Sequence, residues 1–346
     1  MNMGGEKVKI KKYILPVLAV ILIISIFIFS LLAERTKDVT VSDFAMGSPV
    51  NVTVYGEKNG DEHCNSAIKR IKFIDNSYLS HTVSSSAVYT LNEKKTLISD
   101  MWFADYLKNC VELSKESESF TLFSGEFKDL WKIENGGYVP TDDEIAKVLD
   151  SHKNASLSID SNSISLNGGK LDLGALGKGT ACDEAIKILQ KRNVSNALVT
   201  VGGTVGAIGS PDGVDSYSIG IRNPFGSQIE YFAILNVTDC FVSTSGDYEK
   251  YFECDGVRYS HIFDAKTARP IQSDITAVTV VADNGTLSDF LSTVIFIEGV
   301  EKGFEIADEF DAEILIVKKD KSVLVSENLN DKLTIRDNNF SVSVIE

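Results

Sequence analysis

The stretch LDLGALGKGT, Leu171–Thr180, decides how the chain is read, because its glycines, lysine and threonine are the ingredients of a phosphate-cradling loop. The spacing fits neither common nucleotide motif. Gly179 separates Lys178 from Thr180, which breaks the GxxxxGK[ST] pattern, and Gly174, Gly177 and Gly179 do not fall at the GxGxxG positions. The next segment, CDEAIKILQKRN, is amphipathic and helical, whereas SLSID and SISLN on the N-terminal side alternate as a hairpin. The glycine-rich segment is therefore expected to lead from strands into a helix N-terminus, where free backbone N–H groups favour an anion.

Outward from this point, strands and helices intersperse without a regular βαβ period. Strand-like runs occur in VSDFAMGSPVNVTVYG, ALVTVGG, YSIGI, YFAILNV, AVTVVA, AEILIVKK and SVLVSE. Helical spacing marks AIKRIKFIDNSYLS, the segment from about Ser99 to Ser117, and the segment near Leu287 to Ile297. In YVPTDDEIAKVLD, Thr141 as N-cap and Glu144 three residues on form a capping box. This mixture predicts an α+β fold, and with no repeat or linker it reads as one domain over residues 39–346.

The chain has 346 residues, 43% of them hydrophobic, and a formal net charge of -15. Such a charge argues against nucleic acid as a partner, since phosphate backbones are bound through lysine and arginine. An anionic substrate would need local cations or a metal. The five cysteines, Cys64, Cys110, Cys182, Cys240 and Cys254, show no CxxC or metal-ligand spacing and read as small buried hydrophobes.

The N-terminus is a separate matter. Tyr13–Ala33 carries no charge over 21 residues, enough to cross about 30 Å of hydrocarbon, and Lys7, Lys9, Lys11 and Lys12 precede it. The expectation is a cytoplasmic basic segment over residues 1–12, a single transmembrane anchor over 13–33 and an extracytoplasmic domain. A cleaved signal peptide is the alternative, although the apolar run exceeds the usual length for one.

Four histidines are present. His63 and His152 lie in polar segments and read as solvated. His261, in RYSHIFDAKTARP, has Asp264 three residues on, a carboxylate that could orient the ring for a base; a structural role is the equal alternative. In TLSDFLSTVIF, Asp289 and Thr293 stand at i and i+4 and could offer two hard oxygens to Mg²⁺. A helix start capped by Thr286 or Ser288, with Asp289 favouring the dipole, explains the same residues.

Taken in order, these segments resemble the ApbE family of FAD:protein FMN transferases. AMGSPVNV is similar to that family's MGT strand, LDLGALGKGTACDEA to DLGxxAKGxxxD, VTVGG to its GG turn, STSGDYEKYF to TSGxYxxxF, RYSHIFDAKTARPI to HIxDPxTGxP, and AVTVVADNGTLSDFLSTVIFIEG to its closing segment. The resemblance implies Mg²⁺-dependent transfer of FMN from FAD, through a phosphoester, to a threonine or serine of an acceptor protein, with release of AMP. It implies metal binding by Asp289, Thr293, Ser292 and the carbonyl of Ala175, and a base at His261. FAD contacts carry over to Met46, Tyr78, Ser119, Phe120, Thr121, Asp172, Lys178 and Phe263. The chain departs from the pattern in ESFTLF, where Thr121 and Phe123 replace an aspartate and a threonine, at Thr200 and Thr204 beside the GG turn, at Ala265 and Ala268, and at Gly177, which stands for alanine. Flavin binding without transfer, and hydrolysis of FAD to FMN and AMP, are the alternative functions.

Overall fold

Alternation along SPVNVTV sends Val50, Val52 and Val54 to one face, all fully buried, and this strand is the second of a nine-stranded sheet. The computed structural model describes residues 16, 18, 20–25, 37–211 and 213–345. The sheet strands are β1 (Val39–Ala45), β2 (Ser48–Val54), β3 (Ala197–Val201), β4 (Thr204–Ile208), β5 (Phe241–Gly246), β6 (Ile275–Ala282), β7 (Glu313–Lys318), β8 (Ser322–Ser326) and β9 (Ser341–Ile345). Their order in space follows their order in the chain. Neighbours pair antiparallel except β8 and β9, which are parallel. Long excursions between sheet neighbours, rather than βαβ crossovers, carry the helices, and the expected α+β class holds.

Both faces of the sheet are covered, which is why its central strands read as continuous apolar runs. In β6, Val278 and Val280 enter the larger core, whereas Ala277 faces the smaller one; in β7, Ile314 and Ile316 alternate in the same way with Leu315 and Val317. On the larger side lie α1 (Gly60–Ile74), α2 (Met101–Leu113), α3 (Gly174–Lys191) and α4 (Gly285–Glu298). On the other side a three-stranded sheet of Tyr217–Arg222, Tyr231–Val237 and Leu333–Ile335 supplies Tyr217, Phe232 and Leu235.

Several expectations hold residue for residue. The hairpin Ser156–Asp160 with Ser163–Asn167 forms, the Thr141–Glu144 capping box is made, and β3 and β4 turn at Gly202 and Gly203. All five cysteines are free, four of them buried. Others change. The glycine-rich segment is not a loop: α3 begins at Gly174, eight residues before the helix expected from Cys182. The helix expected from Leu287 begins at Gly285, and its N-cap is Asn284, whose side chain accepts from Leu287 N, rather than Thr286 or Ser288. His152 is not solvated; it is half-buried with its ring 4.8 Å from that of Phe127.

The transmembrane expectation for residues 13–33 falls largely outside the described residues. Residues 16, 18 and 20–25 are helical and exposed, and among the described residues no helix is long and apolar enough to cross a membrane. The fold itself therefore lends the anchor no support.

Candidate active site

The site is built around the crossing of α3 and α4. A Cβ placed on Gly179 would fall 2.0 Å from the Gly285 carbonyl oxygen, and one placed on Gly285 would fall 2.6 Å from the Gly179 oxygen. Two glycines thus let two backbones touch, and this close approach is what Gly179 provides. Asp183, one turn further along α3, fastens the junction. Its carboxylate accepts from Gly285 N at 2.7 Å, Thr286 N at 2.8 Å and Thr286 Oγ1 at 2.7 Å, filling orphan donors at the start of α4. Thr180 Oγ1 adds a bond of 2.9 Å to Thr286 Oγ1.

Against this junction sits Asp289, whose side chain is 2% exposed. Its Oδ2 accepts from Gly179 N at 3.0 Å, and Lys178 Nζ lies 3.6 Å from Oδ1. Burial raises the carboxyl above its ordinary value, and Lys178 and the Gly179 N–H offset this only in part. In the i→i−4 pattern of α3 the Ala175 carbonyl stands one turn before Gly179, whose N–H the Asp289 carboxylate takes. One turn along α4, the Ser292 and Thr293 hydroxyls meet Ser245 Oγ of β5 at 2.8 and 3.1 Å. Ser245 belongs to STSGDYEKYF, a stretch singled out by the family resemblance alone; on β5 its distance along the chain from α4 gives no sign that it stands beside Ser292 and Thr293.

The start of α3 is held from the other side. Asp172 accepts from Gly174 N at 2.8 Å and pairs with Lys128 Nζ at 2.5 Å. Burial would raise this carboxyl, but Lys128 and the Gly174 N–H overcome it and bring it down to about 2. Lys178 Nζ donates to the Gly174 carbonyl at 3.3 Å, and its stem passes 3.2 Å from where a Cβ on Gly202 would stand. Lys128 is a residue the sequence reading missed, because a lone lysine 44 positions before Asp172 has no periodic relation to it.

His261 shares a cavity of about 250 Å³ with Asp172, Lys128 and His81. Its Nδ1 lies 3.2 Å from the Lys250 carbonyl. With the Nδ1 proton donated there, Nε2 keeps its lone pair. The expected partner Asp264 does not orient this ring: its oxygens accept from Lys266 N and Thr267 Oγ1 instead. Burial, then the nearby Lys128, Lys178 and Lys250 cations, push the imidazole down to about 3, so it is neutral at physiological pH.

The remaining expected flavin contacts divide. Met46, in a left-handed turn with φ 55°, has its amide on Asp75 Oδ2 at 2.7 Å, and its Cε is 3.1 Å from a Cβ built on Gly177. Its side chain therefore reaches the start of α3. Tyr78 instead joins an aromatic cluster, with ring centroids 4.9 Å from Trp102 and 5.3 Å from Phe103. Its hydroxyl donates to Asp100, and burial with that carboxylate raises the phenol to about 12. Phe120 packs edge-on to Phe290 of α4 at 5.1 Å. The Ser119 carbonyl accepts from Ala265 N at 2.8 Å, and Thr121 Oγ1 accepts from Phe123 N at 3.1 Å. Phe263 lies in a small core with Phe127 and Trp131.

A family model described as the ApbE family matches residues 46–316, a span holding every one of these residues. The chain belongs to the ApbE family. It is 29% identical over 332 residues to the FAD:protein FMN transferase of Treponema pallidum, covering 88% of this chain and 91% of that one. Identity with the FAD:protein FMN transferase of Klebsiella pneumoniae is 30% over 230 residues, 65% of this chain and 71% of the relative. Among solved structures, the ApbE protein of Thermotoga maritima is similar with a TM-score of 0.77 at 29% identity, over 86% of this chain and 99% of that one. Membership also gives the departures from the ApbE pattern a local meaning. Thr204, beside the GG turn, is fully buried and bonded to Ser243 at 3.0 Å. Ala268, where the pattern has glycine, holds φ 51° and accepts the Trp131 indole N–H at 2.8 Å.

Proposed function

We propose that this chain is an FAD:protein FMN transferase, moving FMN from FAD to a threonine or serine hydroxyl of an acceptor protein and releasing AMP. The observation that carries the reading is the shared cavity in which neutral His261, held through the Lys250 carbonyl, faces the Asp172–Lys128 pair in a chain of this family. The acceptor hydroxyl oxygen forms a bond to the FMN-side phosphorus, its proton passes to His261 Nε2, and the bond from that phosphorus to the bridging oxygen breaks, so AMP leaves with the electron pair. Lys178 and Lys128 supply positive charge for the diphosphate in a chain that is acidic overall.

The donor set around Asp289 suits Mg²⁺. Among the described residues no three His, Cys, Asp or Glu side chains converge, which leaves one buried, incompletely neutralised carboxylate with hydroxyl and carbonyl oxygens. Mg²⁺ takes such hard oxygens and fills its remaining positions with water and substrate phosphate. Asp289, Thr293, Ser292 and the Ala175 carbonyl would hold the ion, which when bound neutralises diphosphate charge. Residues 13–33 form the membrane anchor in this reading, and the lysines before them keep the N-terminus inside, so transfer takes place at the outer surface.

The test uses the detergent-solubilised full chain with FAD, Mg²⁺ and a threonine-bearing acceptor, followed by in-gel flavin fluorescence and AMP release. Labelled acceptor with equimolar AMP is expected. AMP without label would replace transfer by FAD hydrolysis, and neither product would sink the proposal. Asp289→Asn keeps the side-chain volume and removes a poorly compensated buried charge. It is expected to leave the thermal midpoint close to the parent's while abolishing Mg²⁺-dependent transfer; normal transfer at limiting Mg²⁺ would remove Asp289 from the metal site.

A further inference from the structure

A cavity of about 710 Å³ lies apart from the 250 Å³ one, behind the hairpin of Tyr251–Cys254 and Val257–Ser260. We propose that this cavity docks the acceptor polypeptide through a carboxylate-bearing segment flanking the hydroxyl that receives FMN. The inference rests on the transferase reading above and deepens it by assigning the partner's binding surface.

Three observations carry it. The first is charge. In a chain of net charge -15, this cavity gathers Arg222, Arg258 and Lys319. The lining carboxylates Asp247 and Glu253 both turn to Arg258, at 3.2 and 3.5 Å, and Arg222 has Glu249 at 3.2 Å on one terminal nitrogen only. Lys319 makes no ion pair among the described residues, and the Arg222 Nε is buried without a partner.

The second is a β-bulge. The register of β6 against β7 shifts between Ile275 and Ala277, and the extra residue, Thr276, lines the cavity with a buried hydroxyl that has no hydrogen-bond partner. A buried hydroxyl without a partner is costly to leave unsatisfied, and a bulge that re-aims a side chain is a feature found beside functional sites. Thr276 Oγ1 and Arg222 Nε are thus two donors without partners in the lining of one cavity, the kind of group a carboxylate satisfies. The rings of Tyr248 and Tyr251 lie under the guanidinium groups of Arg222 and Arg258 at 4.6 and 4.3 Å and hold those cations in the cavity wall.

The third is position. Ser260 lines the cavity and precedes His261, while Asp247 lies two residues beyond Ser245, which bonds Ser292 and Thr293. At about 3.3 Å per extended residue, a segment seated here brings a neighbouring hydroxyl to the histidine within a few residues.

The test is a charge swap read by binding as well as by transfer. Two fluorescein-labelled threonine peptides are used, one with three aspartates beside the threonine and one with three lysines in their place. Fluorescence anisotropy with the FAD-loaded full chain is expected to show the acidic peptide bound at least about 10-fold more tightly. Lys319→Glu, a change at an exposed position, should weaken the acidic peptide by about 10-fold and strengthen the basic one, with FAD affinity unchanged. Thr276→Val should weaken the acidic peptide without altering FAD affinity. Equal binding of the two peptides, or no response to Lys319→Glu, overturns the docking assignment. Charge-dependent binding without any labelled product leaves docking intact and counts against transfer instead.

Discussion

Replacing Gly179 with alanine forces apart the two helices that carry the site. The added Cβ would stand 2.0 Å from the Gly285 carbonyl oxygen and 2.5 Å from its carbon, where contact distances of about 3.5 Å are the closest comfortable ones. Both obstacles are backbone, so no rotamer change relieves them, and α3 and α4 must separate by roughly 1.5 Å. That movement strains the Gly179–Asp289 bond at 3.0 Å, the three bonds from Asp183 to Gly285 and Thr286, and the Thr180–Thr286 bond. Overpacking alone costs about 1–3 kcal/mol, and weakening several buried hydrogen bonds worth about 1 kcal/mol each adds a comparable amount. A loss of about 4 kcal/mol is expected. For a domain of about 310 residues, unfolding with about 2.1 cal/mol/K per residue, it lowers the thermal midpoint by roughly 6 °C. Thermal unfolding of the full chain in detergent, followed by circular dichroism at several scan rates, reads the effect. A midpoint within about 2 °C of the parent would mean that the two helices do not cross on these glycines, and the account of the site's foundation would fall.

Other outcomes rest on the same geometry. Gly177→Ala is the informative contrast: its Cβ meets only the mobile ends of Met46 at 3.1 Å and Leu79 at 3.5 Å, while alanine improves helix propensity by about 1 kcal/mol. Its midpoint should match or exceed the parent's in the same melt. Asp183→Asn puts an amide NH₂ against a cluster of N–H and O–H donors and should cost about 2–3 kcal/mol in urea unfolding; an unchanged urea midpoint would show that the cap is dispensable. Lys128→Met removes the cation that, after burial, does most to hold His261 near 3. The His261 imidazole should then titrate at higher pH in an NMR titration, because loss of a positive neighbour favours the protonated ring, and an unmoved titration would separate Lys128 from the histidine. FAD, bringing an anionic diphosphate, should shift the same titration in the same direction.

Much of the fold is legible in local pattern. Period-two alternation in SPVNVTV and the capping box at Thr141–Glu144 are properties of adjacent residues, and the structure reproduces both. The apolar runs AVTVVA and EILIV mark β6 and β7 as strands, but alternation cannot say which of two cores each residue enters. The candidate site is legible less evenly. His261, Asp172, Lys178, Asp289 and Thr293 carry recognisable motifs, and Asp183 and Ser245 stand in two of them, but their partners lie 102 and 47 positions away; Lys128 stands in none and acts through a partner 44 positions away.

The stretch LDLGALGKGT shows where the division lies. From its own residues the sequence establishes that three glycines stand among polar groups ahead of a helix, and that neither familiar nucleotide motif applies. It also carries the family assignment, since ordered motifs survive in a linear string. What approaches these glycines is a tertiary fact. Glycine lacks a Cβ whether the neighbour is a phosphate or another helix, so the residue type is the same in both cases. Only the packed structure reveals that Gly179 meets Gly285, that the segment is the opening of α3 rather than a loop, and that the imidazole of His261 takes its orientation from a carbonyl eleven residues earlier instead of the carboxylate three residues later.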